Sequence, residues 1–256
     1  MKSKLVLIFA LAAMMLTACG SKEEKKEVAL VAIEQAEGDK TIYGLVCDGC
    51  NDTVVIFLPM SFKGNYDGSN PDTLNILEAS RNHQVFGQLR IGDKVAMMRN
   101  ENDETVADLV IVTEDMLGNW CYKVLPTLKR RAHMEGQTDS QVLEQLPDSV
   151  QEMLTVEREY GLAIKNNNVA LSIGSYRYKS TPEEEELMEY PETRRYQEWT
   201  IYNGKLILSE LAIDSLKRQH RTYSDTVEFV KLTPDTLVLR FADGERGYYR
   251  KYEKLQ

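Results

Sequence analysis

Cys47 and Cys50 are the residues whose type and spacing most directly suggest chemistry, because they form a Cys-x-x-Cys motif. A redox motif of this kind needs a helix after its first cysteine to lower the thiol pKa, but a β-forming run follows here. A zinc site would need a second pair of ligands, which Cys121 and the three scattered histidines do not supply at metal-binding spacing. We therefore expect a local disulfide, or two thiols, at a hairpin tip. A metal site and redox or haem handling are the alternatives, and Cys121 is expected to be a buried free thiol.

The other reactive side chains form no recognisable catalytic arrangement in the sequence. The motifs of serine hydrolases, metalloproteases, dinucleotide-binding enzymes and P-loop enzymes are all missing. His83, His133 and His220 stand alone, and the carboxylates are not paired in a way that indicates a glycosidase. The acidic run 183–186 lacks the residue spacing of a calcium loop. We expect a protein that is not an enzyme and that holds no cofactor and no metal ion.

Residues 28–115 are expected to form a small β domain, because short β-forming runs alternate with turn signals. The Asp48-Gly49 pair predicts a hairpin turn, and residues 73–81 predict a short helix. The β runs are 28–33, 41–46, 53–58, 84–89, 94–98 and 105–113. This succession resembles a small OB-type barrel, with another small β-barrel or a β-sandwich as the alternative. The formal net charge of −9 argues against a nucleic-acid partner.

Residues 116–256 are expected to form a larger β domain. Counting from Trp120, alternating runs joined by turns predict an eight-stranded antiparallel up-and-down barrel. Asn166-Asn167-Asn168 and Asn203-Gly204 predict tight turns between neighbouring strands, and the basic stretch 217–221 is expected to connect two others. The segment Gly118-Asn119-Trp120 resembles the Gly-x-Trp motif that opens the first strand of lipocalins, although a polar, partly helical insertion after Pro126 departs from that family. The resemblance implies that Gly118 and Trp120 close one end of the barrel beside an arginine from the last strands. The candidate arginines are Arg240, Arg246 and Arg250.

The alternation of apolar residues along these strands predicts which side chains line the barrel interior. The candidate lining residues are Val169, Leu171, Ile173, Trp199, Ile201, Leu206, Leu208, Leu237, Leu239 and Phe241. In a barrel of eight strands, such residues either fill the interior or leave room for one small ligand. The sequence leaves both alternatives open.

The first residues predict export and lipid anchoring. Residues 1–18 combine two lysines with an apolar run that is too short to span a bilayer, which is typical of a signal peptide. The sequence around Cys19 resembles the lipobox of bacterial lipoproteins, and the resemblance implies cleavage before Cys19 and its lipidation. Residues 19–27 are then a charged, flexible tether. We expect anchoring in the outer membrane, and the acidic residues after Cys19 slightly favour the cell surface over the periplasmic face.

A recurrent tripeptide, in which an aspartate precedes a hydroxyl residue and an apolar residue, suggests a modification. It resembles the O-glycosylation acceptor of exported proteins in one Gram-negative lineage, but the same pattern is also ordinary turn or cap chemistry. The candidate acceptors are Thr53, Thr73, Ser149, Ser215, Thr226 and Thr236.

Together these features predict a non-catalytic envelope lipoprotein that binds a small hydrophobic ligand in its C-terminal barrel. An accessory module that binds a protein or a glycan through its loops, with a filled barrel, is the alternative. A thiol redox protein that uses Cys47 and Cys50 is the third hypothesis.

Overall fold

The computed structural model describes residues 34–66, 68–129, 136, 138–174 and 188–252. The predicted signal peptide, Cys19, the tether and the run 28–33 lie outside the described residues, as do His133 and the acidic run 183–186. Strands predominate over helices in the described part, so the fold is mostly β, as the sequence predicts. No helix in these ranges combines the length and the apolar character needed to cross a membrane.

The N-terminal module is a six-stranded sheet with the order β3-β2-β1-β5-β6-β4. Its strands are β1 (Ile42–Val46), β2 (Val54–Met60), β3 (Asp72–Asn75), β4 (Val85–Phe86), β5 (Lys94–Arg99) and β6 (Ala107–Val112), and helix α1 (Leu77–Arg81) lies between β3 and β4. All pairings are antiparallel except that of β4 with β6. A parallel bridge between Asn75 and Val106 also brings the end of β3 next to the start of β6. The OB-type barrel stays a prediction, with which this strand order is compatible.

The second strand differs from its prediction, because β2 does not stop before Pro59 but runs through it to Met60. Pro59 pairs with Gly44 of β1, whereas β3 pairs with β2 only from Val54 to Phe57. Pro59 therefore lies between the stretch that pairs with β3 and the bridge of Met60 to Tyr66, at a gap in the pairing on that side of β2 where a proline is tolerated.

The C-terminal module is a closed barrel of eight strands in which every neighbouring pair is antiparallel. The short helix α2 (Thr113–Met116) leads into it. The barrel strands are β7 (Gly118–Val124), β9 (Arg158–Lys165), β10 (Val169–Ile173), β12 (Glu198–Tyr202), β13 (Lys205–Ile213), β14 (Gln219–Leu232), β15 (Thr236–Phe241) and β16 (Gly244–Lys251). Each strand pairs with the next along the barrel, and β16 closes it onto β7. The predicted eight-stranded up-and-down barrel is confirmed.

The insertion between β7 and β9 contains a strand and two short helices. Strand β8 (Thr127–Leu128) pairs with β11 (Met188–Glu189), and helices α3 (Asp139–Gln145) and α4 (Asp148–Leu154) follow β8. The Thr138 hydroxyl accepts the Gln141 N–H, and the Gln141 side chain accepts the Thr138 N–H, so α3 begins with a capping box.

The described residues form two buried hydrophobic clusters, of which one lies within the N-terminal module and the other spans both modules. Phe86, Ile111 and Met116 belong to the same buried cluster as Trp120 and the interior residues of the barrel. The rings of Phe86 and Phe229 lie 5.6 Å apart, centroid to centroid. The N-terminal module therefore covers the barrel end at which β7 begins.

The turn between β12 and β13 fastens the modules together with polar contacts. The Lys40 N–H donates to the side-chain oxygen of Asn203 at 2.8 Å, and the Asn203 N–H donates to Asp39 at 2.9 Å. Gly204 adopts a φ of +73°, which favours glycine, and a Cβ there would lie 2.9 Å from Met98 Cγ and 3.0 Å from Leu109 Cδ2. The Asn203-Gly204 turn is thus both the predicted hairpin and an intermodule contact.

Candidate functional site

The covered end of the barrel is built around Trp120, whose side chain is fully buried. Its indole N–H donates to the Met116 carbonyl at 2.7 Å, and the Arg250 guanidinium lies 4.2 Å from the ring centroid. Arg250 also donates to the carbonyls of Leu117, at 2.5 Å, and of Asp115, at 2.6 Å. Of the three candidate arginines, Arg250 is the one that packs beside the indole.

Gly118 makes room for that guanidinium. Its φ of +144° lies in the region that favours glycine, and a Cβ at this position would lie 2.5 Å from Arg250 Nη1. The Gly-x-Trp spacing therefore has a physical reason, because Gly118 admits the arginine and Trp120 receives it.

Most of the predicted lining residues belong to the core that fills this half of the barrel. Leu206, Leu208, Leu237 and Leu239 are fully buried, and Ile201, Trp199 and Phe241 are buried in the same cluster. A ligand therefore has no room among the leucines beneath Trp120.

The prediction for β10 is wrong, because the opposite face of this strand points inward. Ala170 and Ser172 are buried, whereas Val169, Leu171 and Ile173 are only half-buried. The register with β9 fixes this phase, since Ala170 lies opposite Ile164 and Ser172 opposite Leu162, and residues directly opposite each other share a face. The more apolar face of the strand is the outer one.

The other end of the barrel holds a cavity of about 460 Å³. It lies between the inner faces of the strands and the segment that precedes β12. Its lining residues are Tyr122, Gly161, Leu162, Ser172, Glu192, Thr193, Arg194, Tyr196, Tyr223, Asp225, Phe241, Ala242, Asp243, Arg246 and Tyr248. We call this cavity the barrel mouth; its wall combines aromatic rings with charged and hydroxyl groups.

Asp225 organises one side of the barrel mouth. Its carboxylate accepts hydrogen bonds from the hydroxyls of Tyr196 and, at 2.7 Å, Tyr223, and it lies 3.4 Å from the Nε of Arg194. The Arg194 guanidinium in turn stacks on the Tyr223 ring, 3.8 Å from its centroid. The carboxylate is thus held by two hydroxyl donors and a guanidinium, and this side of the mouth is a preorganised polar wall.

The opposite side is formed by Arg246 and Tyr248. The Arg246 guanidinium lies 4.6 Å from the Phe241 ring centroid and 2.5 Å from a carboxylate oxygen of Asp243. The rings of Tyr248 and Tyr122 meet edge to face, with centroids 5.2 Å apart. This side offers a cation and aromatic edges to whatever enters the mouth.

The phenols of the mouth stay protonated at physiological pH. Burial raises the pKa of Tyr248, and burial together with the hydrogen bond to Asp225 raises that of Tyr196. They therefore act as hydrogen-bond donors and not as bases. The Thr193 hydroxyl is buried in the mouth and has no hydrogen-bond partner among the described residues, so it is available to a bound molecule.

Cys47 and Cys50 are free thiols in the structure, which is the second of the two expected arrangements and not the candidate disulfide. The Cys50 sulfur accepts the Ile56 N–H at 3.1 Å and lies 3.3 Å from the Cys47 carbonyl, while the Cys47 sulfur lies 3.7 Å from the Leu45 carbonyl. Each sulfur is thus held by backbone of the β1–β2 hairpin. Cys121 is buried, and burial raises its thiol pKa.

The remaining candidate residues are dispersed over the molecule. Thr53, Thr73, Ser215 and Thr226 are exposed and Thr236 is half-buried, while the side chain of Ser149 lies outside the described part. Glycosylation stays a prediction. The Asp214 carboxylate accepts the N–H groups of Leu216 and Arg218, both at 2.8 Å. In this copy of the tripeptide the aspartate therefore has the turn role that is the alternative to a glycosylation signal. Within the described ranges, no group of three His, Cys, Asp or Glu side chains could hold a metal ion.

The polar residues of the barrel mouth were not predicted from the sequence, because the candidate lining residues were the apolar residues that alternate along each strand. Asp225 lies two residues before the buried Val227, so a charged side chain on an inward-facing position of β14 was the available signal. Arg194 and Thr193 precede β12 and carry no periodicity that could have revealed them.

Comparison with known proteins gives one structural likeness. No protein-family model matches the chain, and no curated protein sequence matches it. A solved lipocalin-like protein from Bacteroides thetaiotaomicron VPI-5482 is similar at 19% identity and a TM-score of 0.27, covering 54% of this chain and 97% of its own. Because that TM-score is low, the barrel is assigned from its own strand order and not from this likeness.

Proposed function

We propose that this protein is a non-catalytic, lipid-anchored envelope protein that binds a small amphipathic molecule in the barrel mouth. The observation that carries the proposal is the mouth itself, a cavity of about 460 Å³ with aromatic walls and convergent polar groups. The half of the barrel interior near Trp120 is filled by side chains, so a ligand inside the barrel is restricted to the mouth. The lipobox-like sequence around Cys19 supports the anchor in the outer membrane and, slightly, display at the cell surface.

The chemistry of the mouth refines the predicted hydrophobic ligand to an amphipathic one. Leu162 and the rings of Phe241 and Tyr248 offer apolar contact, whereas Arg246 and the Thr193 hydroxyl offer polar contact. A purely apolar molecule would remove water from these polar groups without replacing their hydrogen bonds, which disfavours binding. A molecule with an apolar body and a polar or acidic end satisfies both sides.

Native mass spectrometry of the full mature protein, purified in mild detergent from its own envelope, tests this function. We expect a co-purifying small molecule that is reduced in Arg246→Met and retained in Arg218→Met, whose arginine lies outside the mouth in the β13–β14 turn. A compact, ligand-free protein in all three cases would contradict the proposal and favour an accessory module that binds a protein or glycan through its loops. Unchanged ligand occupancy in Cys47→Ser/Cys50→Ser would separate the function from thiol chemistry.

A further inference from the structure

A second cavity, of about 400 Å³, lies between the two modules at the covered end of the barrel. Its floor comes from β1, β5 and β12, and its rim from the segment after β2 and the turn 166–168. This volume is within the range of small-molecule sites. We call it the intermodule cavity; none of its lining residues lines the barrel mouth.

The aromatic groups of the intermodule cavity have their polar atoms engaged elsewhere. The Trp199 indole N–H donates to the Lys165 carbonyl at 2.8 Å, and the Tyr43 hydroxyl donates to the Ile201 carbonyl at 3.3 Å. Phe62 meets Tyr43 edge to face, with ring centroids 5.5 Å apart. These residues therefore present ring surface to the cavity, which suits a flat apolar body.

The turn 166–168 holds one of these rings in place. Asn167 and Asn168 have φ values of 59° and 61°, as the predicted asparagine turn requires. The Asn168 side chain donates to the Trp199 carbonyl at 3.0 Å, and the backbone N–H of Trp199 donates to the Asn168 carbonyl at 2.8 Å. The wall formed by Trp199 is thus fixed before a ligand arrives, which lowers the entropy cost of binding.

Of the two lysines at the rim of the cavity, Lys63 is paired, because its ammonium lies 3.7 Å from a carboxylate oxygen of Glu34. Lys63 and Lys94 both line it, and the Lys94 ammonium lies 3.8 Å from where a Cβ on Gly64 would be. Among the described residues, no carboxylate lies within ion-pair distance of the Lys94 ammonium. The Glu114 carboxylate faces the same cavity but already accepts the Lys94 N–H at 2.5 Å and the Thr113 hydroxyl at 3.1 Å.

We infer that the intermodule cavity is a second binding site, for a small organic anion with a flat aromatic body. The rings of Trp199, Tyr43 and Phe62 take the body, and the Lys94 ammonium takes the acidic group. Lys94 is exposed at the rim, so its attraction for an anion is that of a solvent-accessible ion pair. Since Trp199 and Tyr43 belong to different modules, a ligand here bridges the two modules.

The two tryptophans of the chain provide a direct test by NMR on the full mature protein. Trp199 lines the intermodule cavity, whereas Trp120 is buried beneath Arg250, so the two indole N–H signals report on different places. We expect titration with 2-naphthoate to shift the Trp199 signal saturably and to leave the Trp120 signal in place. An unshifted Trp199 signal would overturn the inference.

Charge recognition is tested with Lys94→Gln and a matched control, Lys205→Gln, whose lysine is exposed on β13 outside both cavities. We expect Lys94→Gln to weaken 2-naphthoate binding about fivefold, the effect of one solvent-accessible ion pair, and Lys205→Gln to leave it unchanged. The neutral 2-naphthamide should bind the wild type and Lys94→Gln equally. Equal weakening by both lysine variants would overturn the assignment of Lys94.

Arg246→Met should leave the Trp199 shift intact, which separates this site from the barrel mouth.

Discussion

Single side chains decide how each end of the barrel is used. At the covered end, Arg250 bonds to backbone carbonyls and lies against Trp120, so it is part of the structure. At the mouth, Arg194 and Arg246 face a cavity. The same residue type thus stabilises the fold at one end and is available for recognition at the other, and the difference comes from the neighbouring groups and not from the arginine itself.

Replacing Arg250 should destabilise the fold. In Arg250→Met the carbonyls of Asp115 and Leu117 lose their donor, and the indole loses its cation, so we expect the free energy of unfolding to fall by about 2–3 kcal/mol. Urea denaturation measures this change. Arg240→Met is the control, because Arg240 pairs only with the exposed Glu228 and Glu245 in the contacts described. An equal loss in both variants would contradict the role of Arg250.

Glu159 makes stability depend on pH. Hydrogen bonds from Lys251 and Tyr249 lower the pKa of its carboxyl. A carboxyl with a depressed pKa in the folded state contributes stability above its unfolded pKa of about 4.3, and loses it as the pH falls through the folded pKa.

We therefore expect Glu159→Gln to lower the free energy of unfolding by roughly 0.5–1 kcal/mol at pH 7, the range of an exposed pair, and by progressively less below pH 4. Tyr249→Phe should reproduce part of this difference, because it removes one donor. Denaturation curves from pH 2 to 7 check it, and a difference that does not change with pH would refute the assignment.

At the scale of elements, turn chemistry and strand count could be predicted, whereas strand phase and strand length could not. Asn203-Gly204 and the asparagine turn 166–168 are local signals, and both turns are where the sequence places them. The phase of β10 depends on its register with β9, which involves residues from another strand. Strand β14 begins at Gln219, inside a basic stretch that was expected to be a loop, because its first residues pair with the end of β13.

The turn between β12 and β13 should control the coupling of the modules. Gly204→Ala would place a Cβ against Met98 and Leu109 of the N-terminal module, so we expect a loss of about 1–3 kcal/mol. Hydrogen exchange should also rise in β5 and β6. Gly244→Ala is the matched control, because its φ is also positive, at +137°, but a Cβ there has no neighbour within 4 Å. Equal exchange in β5 and β6 of both variants would count against the coupling.

At the scale of the whole molecule, the shared core was not predictable from the sequence. Phe86 and Ile111 fit the periodicity of the N-terminal strands, and nothing local shows that they pack against the barrel. The division at residues 115 and 116 thus separates two strand patterns, but one of the two buried clusters extends across it. The mouth was missed for a similar reason, since its polar residues come from distant parts of the chain and meet only when the barrel closes.

Ligand binding in the barrel mouth is tested most directly by the electron density of a crystal grown from protein purified from its own envelope. We expect density for one small molecule with its polar end near Arg246 or Thr193 and its apolar body against Phe241 and Tyr248. A mouth that holds only water, or side chains collapsed into it, would show that the mouth is not a binding site.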